Sequence, residues 1–285
     1  MTIAEKYLNP FTDFGFKKLF GSEPNKDLLI DFLNQLLPQH HQIQDLSFTP
    51  NEMLGDTKVD RRAVFDLFCM SQSGERFIVE MQKAKQNYFK DRSVFYSTFP
   101  IREQAERRSD WDFKLSAVYL VGVLDFVFAE DKNSPEVLHY VQLKDQGNRV
   151  FYDKLTFIYL EMPKFNKTEA ELMTSFDKWL YVLKRLPALT DRPVKLQERI
   201  FAKLFEIAEV GNFTREELAE YENSLKNYRD LKNVIDTAVD DAKVIERRAS
   251  MHDVARRGLA DGFPLAAIAR LTGLSEEEIE ALRQS

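Results

Sequence analysis

Apolar positions along the first part of the chain recur at helical spacing and then switch to alternation. In "KDLLIDFLNQLL" Leu29, Phe32, Leu33 and Leu36 share one face, Asn25 precedes and Pro38 follows, which predicts a helix over Lys26–Leu37. The aromatic-rich "TDFGFKKLFG" before it predicts one short helical turn closed by Gly21. "IQDLSFTP" predicts a strand, and "AVFDLFCMSQSGERFIVEMQ", Ala63–Gln82, predicts two apolar strands joined by a polar turn. "NYFKDRSVFYSTFPIREQAERR" predicts a long helix with a kink or break at Pro100. Strand-like runs follow at Ser116–Phe128, Val137–Leu143 and Leu155–Met162; the first is nearly continuous in β-branched and aromatic residues, as a strand buried on both faces requires.

From Lys167 onward the period is helical. "ELMTSFDKWLYVLKRL" and "VKLQERIFAKLFEIAEV" are amphipathic, and 214–257 is highly charged, predicting a long solvated helix or a helix pair. The final "GLADGFPLAAIARLTGLSEEEIEALRQS" predicts two short helices, the first ended by Gly273 and the second opened by a capping box of Ser275 and Glu278. Strands with one inserted helix, followed by helices alone, predict an α/β core of roughly 160 residues with a helical C-terminal region. The expected parts are a core at 1–165, a helical region at 166–257 and a short helical pair at 258–285.

Composition narrows this picture. With 44% hydrophobic residues and 23 Phe among 285, the chain has material for a sizeable core and is not disordered. A net charge of −6 excludes a polycation, so contact with nucleic acid must come from a local basic patch. The single cysteine, Cys69, excludes an internal disulfide and fits a reducing cytoplasm; its place in an apolar strand predicts a buried small hydrophobe. "MTIAEKYLNPFTDFGFKK" lacks the pattern of a signal peptide, and no window has the apolar length of a membrane span, so no membrane partner is expected. The four histidines form neither H-E-x-x-H nor zinc-finger spacing, and no phosphate-binding glycine loop or G-x-S-x-G elbow is present.

The chemistry concentrates where two strands carry acids at their centres, Asp66 and Glu80. Alternation puts Glu80 and Gln82 on one face. A three-residue loop Gln72-Ser73-Gly74, with Gly74 at its left-handed position, sets Asp66 opposite Glu80; a four-residue loop would put Glu80 on the other face. Two facing carboxylates repel, and a divalent cation such as Mg²⁺ resolves the conflict. The other reading is that the acids are solvated or paired with Arg or Lys.

At "VFDLFC…RFIVEMQ" the chain resembles the PD-(D/E)XK nucleases, and more narrowly the Rpn family of recombination-promoting nucleases, the PD-(D/E)XK nuclease family transposases. "NPFTDFGFKKLFG", "DRSVFYSTFPIREQ", "WDFKLSAVYLVGVLDF" and the C-terminal segment carry the same resemblance. It implies a restriction-endonuclease-like mixed central sheet flanked by helices, with an all-helical C-terminal region. It implies that Asp66 and Glu80 hold Mg²⁺ or Mn²⁺ and that Asp66, Glu80 and Gln82 form the catalytic set. Gln82 stands where many such nucleases have Lys, and an amide can only hydrogen-bond. Asp13 is either a third metal ligand or the partner of Lys17 one helical turn away. Arg92 and Tyr96, four apart on one helical face, would contact DNA together with Lys17; their other reading is Arg92 paired with an acid and Tyr96 in the core.

The implied function is a Mg²⁺-dependent DNA endonuclease associated with recombination or transposition, acting in the cytoplasm on DNA, with homo-oligomerisation left open. The alternative is a catalytically weak or inactive nuclease-fold module that binds DNA or protein. The C-terminal helix pair looks like helix-turn-helix, yet Glu276, Glu277, Glu278 and Glu280 crowd its second helix, so the pair is expected to pack or bind a partner rather than read bases. "KVIERRASMHDVARR", with Lys243, Arg247, Arg248, Arg256 and Arg257, is the better electrostatic candidate for DNA; its other reading is a solvated charged helix.

Overall fold

The computed structural model describes residues 5–38, 41–53, 63–105 and 112–283. Helix α1 (Asp13–Phe20) is capped by Thr12, whose hydroxyl accepts the Gly15 N–H at 2.9 Å and donates to Asn9 O at 2.8 Å. A Cβ on Gly15 would come within 2.2 Å of Asn9 O, so this turn admits only glycine there. The motif is a complete eight-residue helix rather than the single turn that was predicted.

Helix α2 (Lys26–Asn34) buries Leu28, Leu29, Phe32 and Leu33. It ends before the predicted Leu37 because Asn34 turns its side chain onto the next segment, accepting from Ile43 N–H and donating to Ile43 O, both at 2.8 Å.

The strands are β1 (Leu46–Phe48), β2 (Glu52–Met53), β3 (Ala63–Val64), β4 (Leu67–Ser71) and β5 (Arg76–Gln82). After helix α3 (Phe89–Glu103) come β6 (Val118–Leu124), β7 (Leu138–Lys144) and β8 (Val150–Glu161). The predicted strand from Ala63 is therefore divided at Phe65–Asp66: β3 pairs with β2, and β4 with β1 and β5. Helix α3 runs through Pro100 without breaking, and the predicted stretch 106–108 lies outside the described residues.

The six-stranded sheet has the order β1-β4-β5-β6-β8-β7. Strands β5, β6 and β8 are parallel and the outer pairings antiparallel, giving a mixed sheet. Every residue of β6 is buried, as expected of a central strand. One face of the sheet (Phe77, Val79, Tyr119, Val121, Val123) packs into the main core with α1, α2, α4 (Ser175–Arg185) and α5 (Arg199–Ala208). Trp179 anchors that core against Phe20, Phe32 and Phe201. The other face (Ile78, Leu120, Leu124, Tyr159) packs against Phe89 and Phe99 of α3. This is the predicted architecture: a mixed sheet flanked by helices, followed by helices alone.

The chain forms two compact units, Met1–Arg229 and Asp230–Ser285. A single helix, α6 (Arg215–Ala260), resolves the alternative left open for the charged stretch and contributes residues to both. In the second unit, Ala255 near the end of α6 packs with Ile268 of α7 (Leu265–Thr272), Leu274, and Ile279 of α8 (Glu276–Arg283). Gly273 at φ +74° ends α7, and Ser275 with Glu278 forms the predicted capping box.

Candidate functional site

The β4–β5 turn is the three-residue loop. Ser71 N–H donates to Glu75 O at 2.9 Å and Gly74, at φ +88°, donates to Ser71 O at 3.0 Å. The register Leu67↔Val79, Phe68↔Ile78 follows, and one step further it sets Asp66 opposite Glu80. Asp66 lies on the bend just before β4, where its side chain replaces a ladder rung. Its Oδ2 accepts the Met81 N–H at 2.7 Å, while its own N–H donates to Glu80 Oε1 at 3.3 Å. The chain thus joins the two acids through backbone donors.

Glu80 and Gln82 are both buried, with only 5% and 8% exposure, and Gln82 Nε2 donates to Glu80 Oε2 at 3.3 Å. Burial, reinforced by the Asp66 charge, pushes the Glu80 carboxyl up to about 8, with Arg92 acting in the opposite sense. Burial also raises Asp66; the Met81 N–H opposes this, and the Asp13 charge adds to it. Opposite Glu80 on β6 stands Gly122, where a Cβ would meet the Tyr159 ring at 3.0 Å.

Helix α3 crosses this same face of the sheet. Burial raises the Tyr96 phenol, and the Glu80 charge raises it further. The Arg92 guanidinium lies 5.2 Å from the Phe89 ring and 5.6 Å from the Tyr96 ring. It donates to Gln86 through Nη1, and its buried Nη2 has no hydrogen-bond partner among the described residues. Tyr96 also packs edge-on against Phe65 at 5.2 Å, so it serves the core while facing the acids.

Asp13 and Lys17 form an ion pair at 3.0 Å on α1, and both charges act on Asp66. They line an open groove of about 580 Å³ with Lys18, Glu220, Asn223 and Asn227. The structure therefore brings Asp66, Glu80, Gln82, Arg92 and Tyr96 to one place. Asp13 and Lys17 stand at its margin, already paired with each other.

The donor set suits a hard divalent cation. Two carboxylates face one another, one of them held largely protonated at neutral pH by burial, and among the described residues Asp66 Oδ1 accepts no hydrogen bond.

A second acid–imidazole cluster escaped the sequence reading because its members lie far apart in the chain. Asp131, His139 and Glu161 bring ligand atoms within 4.8 Å of one another, a set able to hold a metal ion. The fully buried Glu161 carboxylate already accepts the Phe128 N–H at 2.5 Å and contacts His139 Nε2 at 3.1 Å and Lys164 Nζ at 2.6 Å. These contacts tie the β6–β7 connection to the end of β8, and Lys164 already supplies a positive charge. Of the C-terminal cations, Lys243 pairs with Asp240, Arg248 with Glu278 and Arg256 with Asp253.

The family model for PD-(D/E)XK nuclease family transposases matches residues 10–238. That span contains the acid pair, α3 and the whole six-stranded sheet. No curated protein and no solved structure matches the chain.

Proposed function

Because the chain belongs to the PD-(D/E)XK nuclease family transposases, whose membership supports a nuclease-type function, we propose that it is a Mg²⁺- or Mn²⁺-dependent DNA endonuclease acting in recombination or transposition. One observation carries this reading: the buried carboxyl of Glu80 and the partly buried one of Asp66 face each other beside a buried guanidinium nitrogen of Arg92 that has no hydrogen-bond partner among the described residues. Asp66 and Glu80 would hold the ion, with Asp13 as a third carboxylate reachable only by giving up Lys17. When bound, the ion supplies Lewis acidity and neutralises charge on a scissile phosphodiester.

The remaining roles fall to side chains. Arg92 Nη2 donates to a non-bridging phosphate oxygen, and that bond is charge-assisted. The Tyr96 phenol, held neutral by burial and nearby acids, donates beside it. Gln82 orients water or phosphate through its amide but cannot offset developing negative charge as an ammonium would. Lys17 meets a flanking backbone phosphate from the groove. Cys69 is buried with its thiol pushed up to about 12, which leaves it an unreactive small hydrophobe, and no described helix is long and apolar enough to cross a membrane.

A second reading, a non-catalytic module on the same fold, is favoured by Gln82, an amide in place of an ammonium, whose side chain bonds only to Glu80 among the described residues. Nicking of supercoiled plasmid separates the two. The wild type should nick with Mg²⁺ or Mn²⁺, Asp66→Ala should abolish nicking, and Arg92→Ala should slow it by roughly tenfold to a thousandfold. A wild type that binds DNA and leaves it intact under both metals sustains the second reading instead.

A further inference from the structure

Between residues 230 and 250, α6 is exposed all round, with only Ile235 partly covered. A helix of ordinary composition gains most of its stability from burying an apolar face. Such a face is present. Leu231, Ile235, Ala238, Ala242, Ile245 and Ala249 recur at strictly alternating steps of four and three, the spacing of a coiled-coil seam. Leu231 is 41% and Ile245 70% exposed, an unusual state for large aliphatic side chains on a regular stripe.

We propose that this stripe is the seam of an antiparallel two-helix coiled coil formed with a second copy of the chain. Laid antiparallel on itself, the stripe matches end to end. Leu231 meets Ala249 of the second copy, Ile235 meets Ile245, and Ala238 meets Ala242, each contact occurring twice by symmetry. The paired alanines at the centre let the two backbones approach closely, and the Ile235–Ile245 contacts on either side of them bury the largest apolar side chains.

Charge decides the orientation. In the antiparallel arrangement the flanking Lys232 faces Glu246 of the second copy, twice, and Asp241 faces its own counterpart once. A parallel arrangement would set Asp241 against Glu246 twice and leave Lys232 beside Asn227. The seam ends at Ala249, before Met251 and Ala255 turn to their packing against α7 and α8.

The test uses the full-length protein. Sedimentation equilibrium should show a reversible, concentration-dependent dimer. Ile245→Glu, at an exposed position, should leave helical circular dichroism intact and abolish the dimer. Lys232→Glu should weaken association several-fold, and adding Glu246→Lys should restore it. The native Cys69 is buried, so introduced cysteines report cleanly. A mixture of Leu231→Cys and Ala249→Cys chains should give a disulfide-linked heterodimer under mild oxidation, and neither variant should cross-link alone. A monomer at all concentrations, a dimer that survives Ile245→Glu, or self-cross-linking of Ala249→Cys would each overturn the proposal.

Discussion

Folding takes the Glu80 carboxyl out of water and sets it beside the Asp66 charge. That carboxyl sits near 8 when folded against an ordinary value of 4.5. The folded chain therefore binds the proton more tightly. Its stability benefit is complete below about pH 4.5 and is lost as pH rises through 8, a change on the order of a few kcal/mol. Urea unfolding in EDTA should show stability falling across that window, and Glu80→Gln should flatten the fall. Saturating Mg²⁺ or Mn²⁺ should restore wild-type stability at the alkaline end, because the ion favours the charged pair. The neighbouring Gly122 leaves no slack. In Gly122→Ala the added methyl would meet the Tyr159 ring at 3.0 Å, costing about 1–3 kcal/mol by overpacking and moving the wall beside Glu80. Chemical denaturation with tyrosine fluorescence checks this, and a cost below a few tenths of a kcal/mol would show that the ring gives way freely.

At the scale of elements, the β4–β5 hairpin and α3 make the site together, and the hairpin turn sets its register. Gly74→Ala would force a side chain to φ +88° and bring its methyl within 3.2 Å of Ser116 Oγ. The expected loss is about 1–2 kcal/mol, together with weaker metal-induced stabilisation as the acids lose alignment; calorimetry with and without Mn²⁺ measures both. The same turn explains why so much of the site was legible beforehand. Alternation plus one glycine fixes which strand residues face each other, and the spacing of Arg92 and Tyr96 fixes their common helical face. What local pattern could not reveal depended on distant partners. The strand breaks at Asp66 because that side chain takes the Met81 N–H, and α2 stops at Asn34 because Ile43 lies in reach. Glu161 meets His139 only once β7 and β8 pair. The charged stretch forms one helix rather than two because it holds no Gly or Pro between 214 and 257.

At the scale of the whole molecule, an acidic chain with net charge −6 must meet a polyanion through few, well-placed cations. Lys17 and Arg92 come from segments on opposite sides of the β4–β5 hairpin in sequence, so neither has a role until the first unit is assembled. The strand order carries a consequence in time. The β4–β5 hairpin closes over three residues, and its register needs nothing distant. Strand β6, by contrast, has only parallel partners: β5, reached across α3, and β8, reached across β7. Such crossover pairings are slow to form. Asp66 and Glu80 are therefore neighbours early but are enclosed late, when β6 slides in beside β5 and α3 settles over the acids. Affinity for a cation should arise after the rate-limiting barrier rather than before it. In stopped-flow experiments, added Mn²⁺ should then slow unfolding while leaving the refolding rate unchanged, so that an occupied site acts as a kinetic lock on a chain that folds without it.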